Sequence, residues 1–242
     1  MRPPDARPLC DGTWKVVRFN WPKYAAVAAA LAVACAWTTA RLPAAGSVVL
    51  WTVAGAGTLW TGTSLLATWW VYDHVHVYDH VSSGLGPVGR YATVHSGFDD
   101  ATRPLECSVG HGAVAVVDLH VVPRGSLRRA RGAPAPGRGS RGTLPVESAS
   151  LDSIFMTFAI HEVRSIEDQR ALFCELHRVL APGGRLIITE HLRDAANLGA
   201  FGPGALHFQP RSRWAARARE ARFELVLEDR VTPFVRRLAW QR

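Results

Sequence analysis

The sequence predicts an α/β domain preceded by a two-helix transmembrane hairpin. Three observations carry this reading: two long uncharged runs near the N-terminus, a strand, helix, glycine turn and strand in the second half, and a closing helix followed by two β-prone stretches. The chain has 242 residues, 48% apolar and 20% charged, with a mean hydropathy of +0.03. Those values exclude a disordered tail and a uniformly hydrophobic transporter, and they leave room for one sizeable core.

The hairpin comes first. Seventeen uncharged residues separate Lys23 from Arg41, and 31 more separate Arg41 from Asp73. A spanning helix needs about 20 predominantly apolar residues, so the second run qualifies and the shorter, Ala-rich first run joins it through Arg41-Leu-Pro-Ala-Ala-Gly46. Trp21, Trp37, Trp51, Trp69, Trp70 and Tyr72 stand near the run ends, where amphipathic rings favour headgroups. Arg2, Arg7, Lys15, Arg18 and Lys23 precede the first run, which predicts a cytoplasmic N-terminus and, after two passes through the cell membrane, a cytoplasmic α/β domain. The expected divisions are 1–23 as a basic N-terminus, 24–81 as hairpin and interfacial segment, and 82–242 as the α/β domain.

Directly after the second run the chain reads Val71-Tyr-Asp-His-Val75, His76, Val77-Tyr-Asp-His-Val81. Asp73, His74, His76, Asp79 and His80 offer nitrogen and oxygen ligands, but neither helix nor strand spacing gathers them into a recognised metal set. A segment lying at the headgroup level accounts for them, and no metal is expected.

From Tyr91 the periodicity changes. Residues 92–96 and 113–118 are β-prone, the latter ending in Asp118, and 153–160 are apolar throughout in the manner of a strand buried on both faces. Residues 167–180 carry Ala171, Leu172, Leu176, Val179 and Leu180 at helical spacing; Pro182-Gly183-Gly184 stops that helix, and 185–189 form the next strand. A helix over 211–222 and strands at 223–228 and 232–240 close the chain with an antiparallel pair.

The run Leu144-Pro-Val-Glu-Ser-Ala-Ser-Leu-Asp-Ser-Ile-Phe155, with Glu175-Leu-His-Arg-Val-Leu-Ala-Pro-Gly-Gly184 after it, resembles the second half of class I S-adenosylmethionine-dependent methyltransferases. It is most similar to the type 11 group that includes ubiquinone and menaquinone biosynthesis methyltransferases. The resemblance implies a Rossmann-like sheet and S-adenosylmethionine as cofactor. It places that cofactor against His95, Gly97, Asp99 and Asp118. Of the family's D/E-x-G-x-G-x-G turn only Gly97 survives in His95-Ser-Gly-Phe-Asp-Asp-Ala101, while Asp118 stands where the family keeps the acid that accepts from ribose hydroxyls. The family's adenine-edge acid has no counterpart in Ser140-Arg-Gly-Thr143, at the end of a Pro/Gly/Arg stretch over 123–142 expected to be disordered and to replace the third strand and its helix.

Methyl transfer needs alignment and a proton acceptor. His161, with Glu162 beside it at the end of the 153–160 strand, is the expected catalytic base; Glu190 and His191 end the next strand, and His207 lies in a Gly/Pro-rich loop suited to a lid. A tethered site implies a lipophilic acceptor such as a quinone, isoprenoid or lipid headgroup. The competing expectation is a non-catalytic membrane protein that keeps the fold for interaction.

The net charge of +8 concentrates in Arg124, Arg128, Arg129, Arg131, Arg138 and Arg141, leaving +2 elsewhere. With only Lys15 and Lys23 as lysines, this reads as coding bias toward arginine, and the loop 124–141 suits anionic lipid better than specific nucleic acid. Four scattered cysteines encode neither a disulfide framework nor a zinc site, which fits a reducing compartment.

Overall fold

The computed structural model describes residues 10–40, 43–97, 99–119 and 144–242. Helices α1 (Asp11–Thr39) and α2 (Ala44–Trp69) form a hairpin; a π turn (Trp70–His74) and a 3-10 turn (Val77–His80) lead from it into the domain. The domain continues with β1 (Tyr91–His95), α3 (Thr102–Val109), β2 (Ala115–Asp118), β3 (Leu151–Thr157), a 3-10 turn (Ile160–Glu162), α4 (Ile166–Val179) and β4 (Leu180–His191). It ends with α5 (Ala195–Phe201), a 3-10 turn (Gly202–His207), α6 (Arg211–Glu220), β5 (Glu224–Thr232) and β6 (Val235–Gln241).

The strands make one sheet in the order β2-β1-β3-β4-β6-β5. The first four strands run parallel, and β6 pairs antiparallel with both β4 and β5. The chain leaves β1 outward to β2 and then returns to pair β3 on the opposite side of β1. That reversal opens a crevice at the carboxyl ends of β1 and β3, the place where open α/β sheets bind ligands.

β3 sits at the centre because its side chains are apolar toward both faces. Ile154 and Met156 pack with Phe173 and Leu176 of α4, Leu186 and Ile188 of β4, and Trp214 of α6 on one face; Phe155 packs with Tyr91, Leu105 and Ile187 on the other. Each such side chain contributes about 1.5–3 kcal/mol when fully buried. Ser165 caps α4 by accepting from the Asp168 amide at 2.9 Å, and Leu172, Phe173, Leu176 and Val179 give the helix its buried stripe.

The glutamate and arginine of Glu175-Leu-His-Arg178 act on the chain that enters β3. The Glu175 carboxylate accepts from the Leu144 amide at 2.7 Å and from Arg178 Nη2 at 2.6 Å. Arg178 in turn donates to the Val146 carbonyl at 3.0 Å and to Ser148 Oγ at 2.9 Å. The Arg178 guanidinium beside it holds the Glu175 carboxyl below the usual carboxylate range. At Gly184, early in β4, a Cβ would lie 2.8 Å from the Ala181 carbonyl oxygen, so this position requires glycine.

Two expectations are corrected. Among the described residues no helix is long and apolar enough to cross a membrane. Helices α1 and α2, with 29 and 26 residues, have the length. What they lack is apolarity: alanine, glycine, threonine and serine fill much of both, and each of these adds little transfer free energy beside leucine or valine. The transmembrane hairpin, and the two-pass topology derived from it, are therefore not found. The VYDHV repeat is built into the domain through its valines: Val71, Val77 and Val81 are at most 1% exposed and pack there. The stretch 123–142, with its arginines and the expected loss of a third strand, lies outside the described residues.

Candidate active site

A cavity of about 740 Å³ occupies the crevice. One wall comes from the carboxyl ends of β1 and β3, with Thr93, His95, Ser96, Thr157 and Phe158; the loop after β1 adds Asp99 and Asp100, and the turn after β3 adds His161 and Glu162. The opposite wall is the base of the hairpin, with Gly12, Lys15 and Phe19 from α1 and Tyr72, Asp73, His76 and Tyr78 from the VYDHV repeat.

The repeat's first aspartate explains how that wall is fixed. Cys10, before α1, gives no side-chain cap, so the first amides of the helix need an acceptor. Asp73 supplies it, accepting from the Gly12 amide at 2.8 Å, from the Thr13 amide at 2.9 Å and from the Thr13 hydroxyl. A carboxylate at a helix N-terminus also meets the positive end of the dipole. The approach is so close that a Cβ on Gly12 would lie 2.4 Å from Tyr72 Cβ. Lys15 ties the same turn across the cavity to Asp100 at 2.9 Å and back to Asp11 at 3.0 Å.

The residues expected to hold a cofactor fall at the β1 end. His95 and Asp118 sit side by side in the β1–β2 register, with His95 Nδ1 3.7 Å from the Asp118 carboxylate. The Gly97 amide, on a backbone with φ of 92°, donates to His95 Nδ1 at 3.3 Å. Asp99 lines the cavity and accepts from the Thr102 amide at 3.1 Å, at the start of α3. The histidine in the position of the family's first acid thus takes up the glycine amide and lies beside Asp118 without a hydrogen bond between the two.

His161 lies at the carboxyl end of β3, between two carboxylates. Its Nδ1–H donates to Glu190 at 2.9 Å, and its Nε2 is 3.4 Å from Glu162. Burial alone would lower its pKa, but the Glu190 charge and the contacts to Glu162 overcome this and bring it up to about 10. At neutral pH the side chain is an imidazolium. In the protonated form that these carboxylates favour, the side chain is a hydrogen-bond donor facing the cavity. Glu162, despite partial burial, is held well below the usual carboxylate range by His161 and His207.

Behind this pair stands an aromatic wall. Tyr72 contacts Tyr78 and Phe158 at ring-centroid distances of 5.8 and 5.4 Å. The Tyr72 hydroxyl lies 3.1 Å from His191 Nε2, while His191 Nδ1 is 3.0 Å from the Phe234 carbonyl. A carbonyl can only accept, so Nδ1 carries the proton and Nε2 accepts from Tyr72. Burial lowers the His191 pKa and raises that of both tyrosines, keeping all three neutral. Cys10, His76 and Phe158 line the cavity with positive φ of 70°, 52° and 49°. Backbone strain of this kind, held by surrounding packing, concentrates at functional sites.

Of the residues expected from the sequence, His161, His95 and Asp99 line the cavity and Gly97 and Asp118 do not; Asp73, Tyr72 and Tyr78 were missed as cavity wall. The doubling of VYDHV was the available signal, and it was set aside because no metal spacing fitted.

Residues 96–188 match the family described as "Methyltransferase domain". No curated protein matches the chain in sequence. Among solved structures, a SAM-dependent methyltransferase from Aquifex aeolicus is similar at 16% identity, covering 68% of this chain and 88% of that one, with a TM-score of 0.52. A S-adenosylmethionine-dependent methyltransferase from Mesorhizobium loti is 18% identical over 69% of this chain and all of that one (100%), with a TM-score of 0.47. Geranyl diphosphate C-methyltransferase from Streptomyces coelicolor, in complex with Mg2+, geranyl diphosphate and S-adenosyl-L-homocysteine, is 12% identical over 70% and 79%, with a TM-score of 0.49. The chain thus has the fold of a SAM-dependent methyltransferase, and its residues 96–188 are similar to that domain family.

Proposed function

We propose that the chain transfers a methyl group from S-adenosylmethionine to a lipophilic acceptor. The observation that carries this reading is the cavity at the sheet reversal, with carboxylates from the hairpin base, the loop after β1 and the turn after β3, and aromatic rings from the VYDHV repeat and the end of β3. Its residues fit the cofactor's charge. Asp11, Asp73, Asp79, Asp99, Asp100 and Glu162 line the cavity against Lys15 and Arg103 as permanent cations, an excess of carboxylate suited to a ligand carrying a sulfonium and an ammonium. The imidazole Nδ1 of His76 is buried without a hydrogen-bond partner among the described residues, so the wall also holds a polar group that a ligand can satisfy.

When bound, the cofactor supplies a methyl group on positively charged sulfur, a carbon electrophile that requires alignment rather than covalent help. Asp99 and the His95–Asp118 pair would hold its polar end, with the backbone turn at Gly97 allowing close approach. Tyr72, Tyr78 and Phe158 exclude water and give an apolar acceptor its surface. His161, charged and held by Glu190, keeps a proton and a positive charge where the acceptor's oxygen would lie. Apolar side chains exposed on α2, among them Val48, Val49, Val53 and Leu59, support contact with a lipid surface as the route by which a quinone, isoprenoid or lipid acceptor arrives.

Calorimetric titration of the purified chain with S-adenosylmethionine and S-adenosylhomocysteine tests the cofactor. Saturable binding is expected, weakened by Asp99→Asn; no heat from a protein whose circular dichroism is native would refute it. Methyl-labelled cofactor incubated with a total lipid extract tests the acceptor, with label expected in the organic phase. The hydrogen bond that His95 Nδ1 accepts from the Gly97 amide favours a second reading, a scaffold that keeps the fold without cofactor. The same titration separates the two.

A further inference from the structure

We propose that His161, Glu162 and His207 bind a divalent transition-metal ion, with zinc the ion their ligand types suit, and with its remaining position open to the cavity. Among the described residues these three form the group whose ligand atoms lie within 4.8 Å of one another. The spacing inside the group is informative. His161 Nε2 and His207 Nε2 are each 3.4 Å from the same oxygen, Oε1 of Glu162. That is longer than a good N–H···O hydrogen bond, about 2.7–3.2 Å. It is the edge of a coordination tetrahedron: two atoms each ~2.05 Å from zinc at the tetrahedral angle stand ~3.3–3.4 Å apart. Two imidazoles and a carboxylate with an open fourth position form the donor set of a catalytic rather than a structural zinc site.

A second, independent observation concerns the atom behind the ligand. A metal-binding histidine usually donates its other ring N–H to a carboxylate or carbonyl, which fixes the ring and raises its basicity. His161 does this: Nδ1 meets Glu190 at 2.9 Å. The side chain of Glu190 is 1% exposed, and its other oxygen is held by the His191 amide at 2.9 Å. The imidazole is therefore locked with Nε2 turned toward Glu162. His207 is held from its own side, its carbonyl accepting from Arg164 Nη1 at 2.9 Å. Arg164 Nη2 also lies 2.6 and 2.7 Å from the two ring nitrogens of His207, so an entering ion displaces that guanidinium end while the carbonyl contact remains. His161 and Glu162 line the cavity and His207 is the most exposed of the three, which gives the ion an entry from outside and a free position within.

The binding site stands on this geometry alone. Its role rests on the methyl-transfer reading: with His161 Nε2 given to the ion in place of a proton, a cavity-facing metal would take the acceptor's hydroxyl or enol oxygen and lower its pKa.

Cobalt(II) is the probe. The full-length protein is stripped with a chelator, dialysed and titrated with cobalt while visible absorption is recorded, without cofactor or acceptor. One equivalent is expected to give the intense d–d bands of a four- or five-coordinate nitrogen–oxygen site, without thiolate charge transfer, and zinc should abolish them. Glu162→Gln and His207→Ala should each lose the bands, and Glu190→Gln should bind 10–100-fold more weakly. His207 is half-exposed, so its variant keeps the test valid should the Glu162 variant misfold. Only the weak spectrum of the aquo ion, a thiolate band, or a His207→Ala spectrum equal to wild type would overturn the site. Because the readout uses no S-adenosylmethionine, its failure is separate from failure of the cofactor titration.

Discussion

Replacing Asp73 with alanine should release the N-terminus of α1 from the cavity. Three hydrogen bonds end on this carboxylate, from the Gly12 and Thr13 amides at 2.8 and 2.9 Å and from the Thr13 hydroxyl. A hydrogen bond to a charged group contributes about 1.5–3 kcal/mol when buried. These are half-buried and the freed amides regain water, so a combined loss of roughly 2–4 kcal/mol in local stability is expected. At 1.4 kcal/mol per decade this is about 30- to 1000-fold in the opening equilibrium. Hydrogen exchange read by mass spectrometry should show peptides from 11–20 exchanging faster by that factor, with peptides from β3 and β4 unchanged. Asp73→Asn, which keeps one acceptor oxygen, should fall between. Unchanged exchange over 11–20 in Asp73→Ala would refute the view that this contact holds the wall in place.

Three further outcomes follow from the same structure. The folded pKa of His161, about 10 against an ordinary 6.5, means that its stabilisation is complete below pH 6.5 and is lost as pH rises toward 10. With chelator present, that loss in denaturant unfolding should be on the order of 4 kcal/mol in wild type, and Glu190→Gln, which removes the buried partner, should cost about 3–5 kcal/mol at pH 7 and much less at pH 10; a flat profile between pH 7 and 10 would sink this. Glu175→Gln should lower stability at pH 7 by about 1–2 kcal/mol. Since the Glu175 carboxyl is held below its ordinary value, its contribution is present above pH 4.5 and lost in acid, so the difference from wild type should close as pH falls in parallel unfolding titrations. Gly12→Ala places a Cβ 2.4 Å from Tyr72, and the strain of about 1–3 kcal/mol should appear as roughly 10- to 100-fold weaker cofactor binding with an almost unchanged melting temperature.

The parallel sheet was legible because its signals are local. The apolar run that became β3, the helical spacing of Leu172, Leu176 and Val179, the Pro-Gly-Gly sequence and the closing pair of strands each lie within one short stretch of chain. The hairpin was misread because counting uncharged residues treats alanine, threonine and glycine as though they were leucine. Asp73 could not be assigned from its neighbours, since its partners stand 60 and 61 positions away. The charge on His161 likewise depends on Glu190, 29 positions on. In each case the missing term is a contact between distant segments, which periodicity does not encode.

The helical pair is fastened to the domain at two places, where Gly12 meets Tyr72 and Asp73 and where Thr63 Oγ1 donates to the Ala200 carbonyl at 2.9 Å, and its tip lies beyond both. Such an excursion is a module in the engineer's sense. Its far end can be shortened, lengthened or exchanged for another coiled pair without altering the register of any strand, provided both junctions are kept. Variation at the tip and constancy at the junctions are thus separable, and one catalytic body can be fitted with different surfaces for different surroundings.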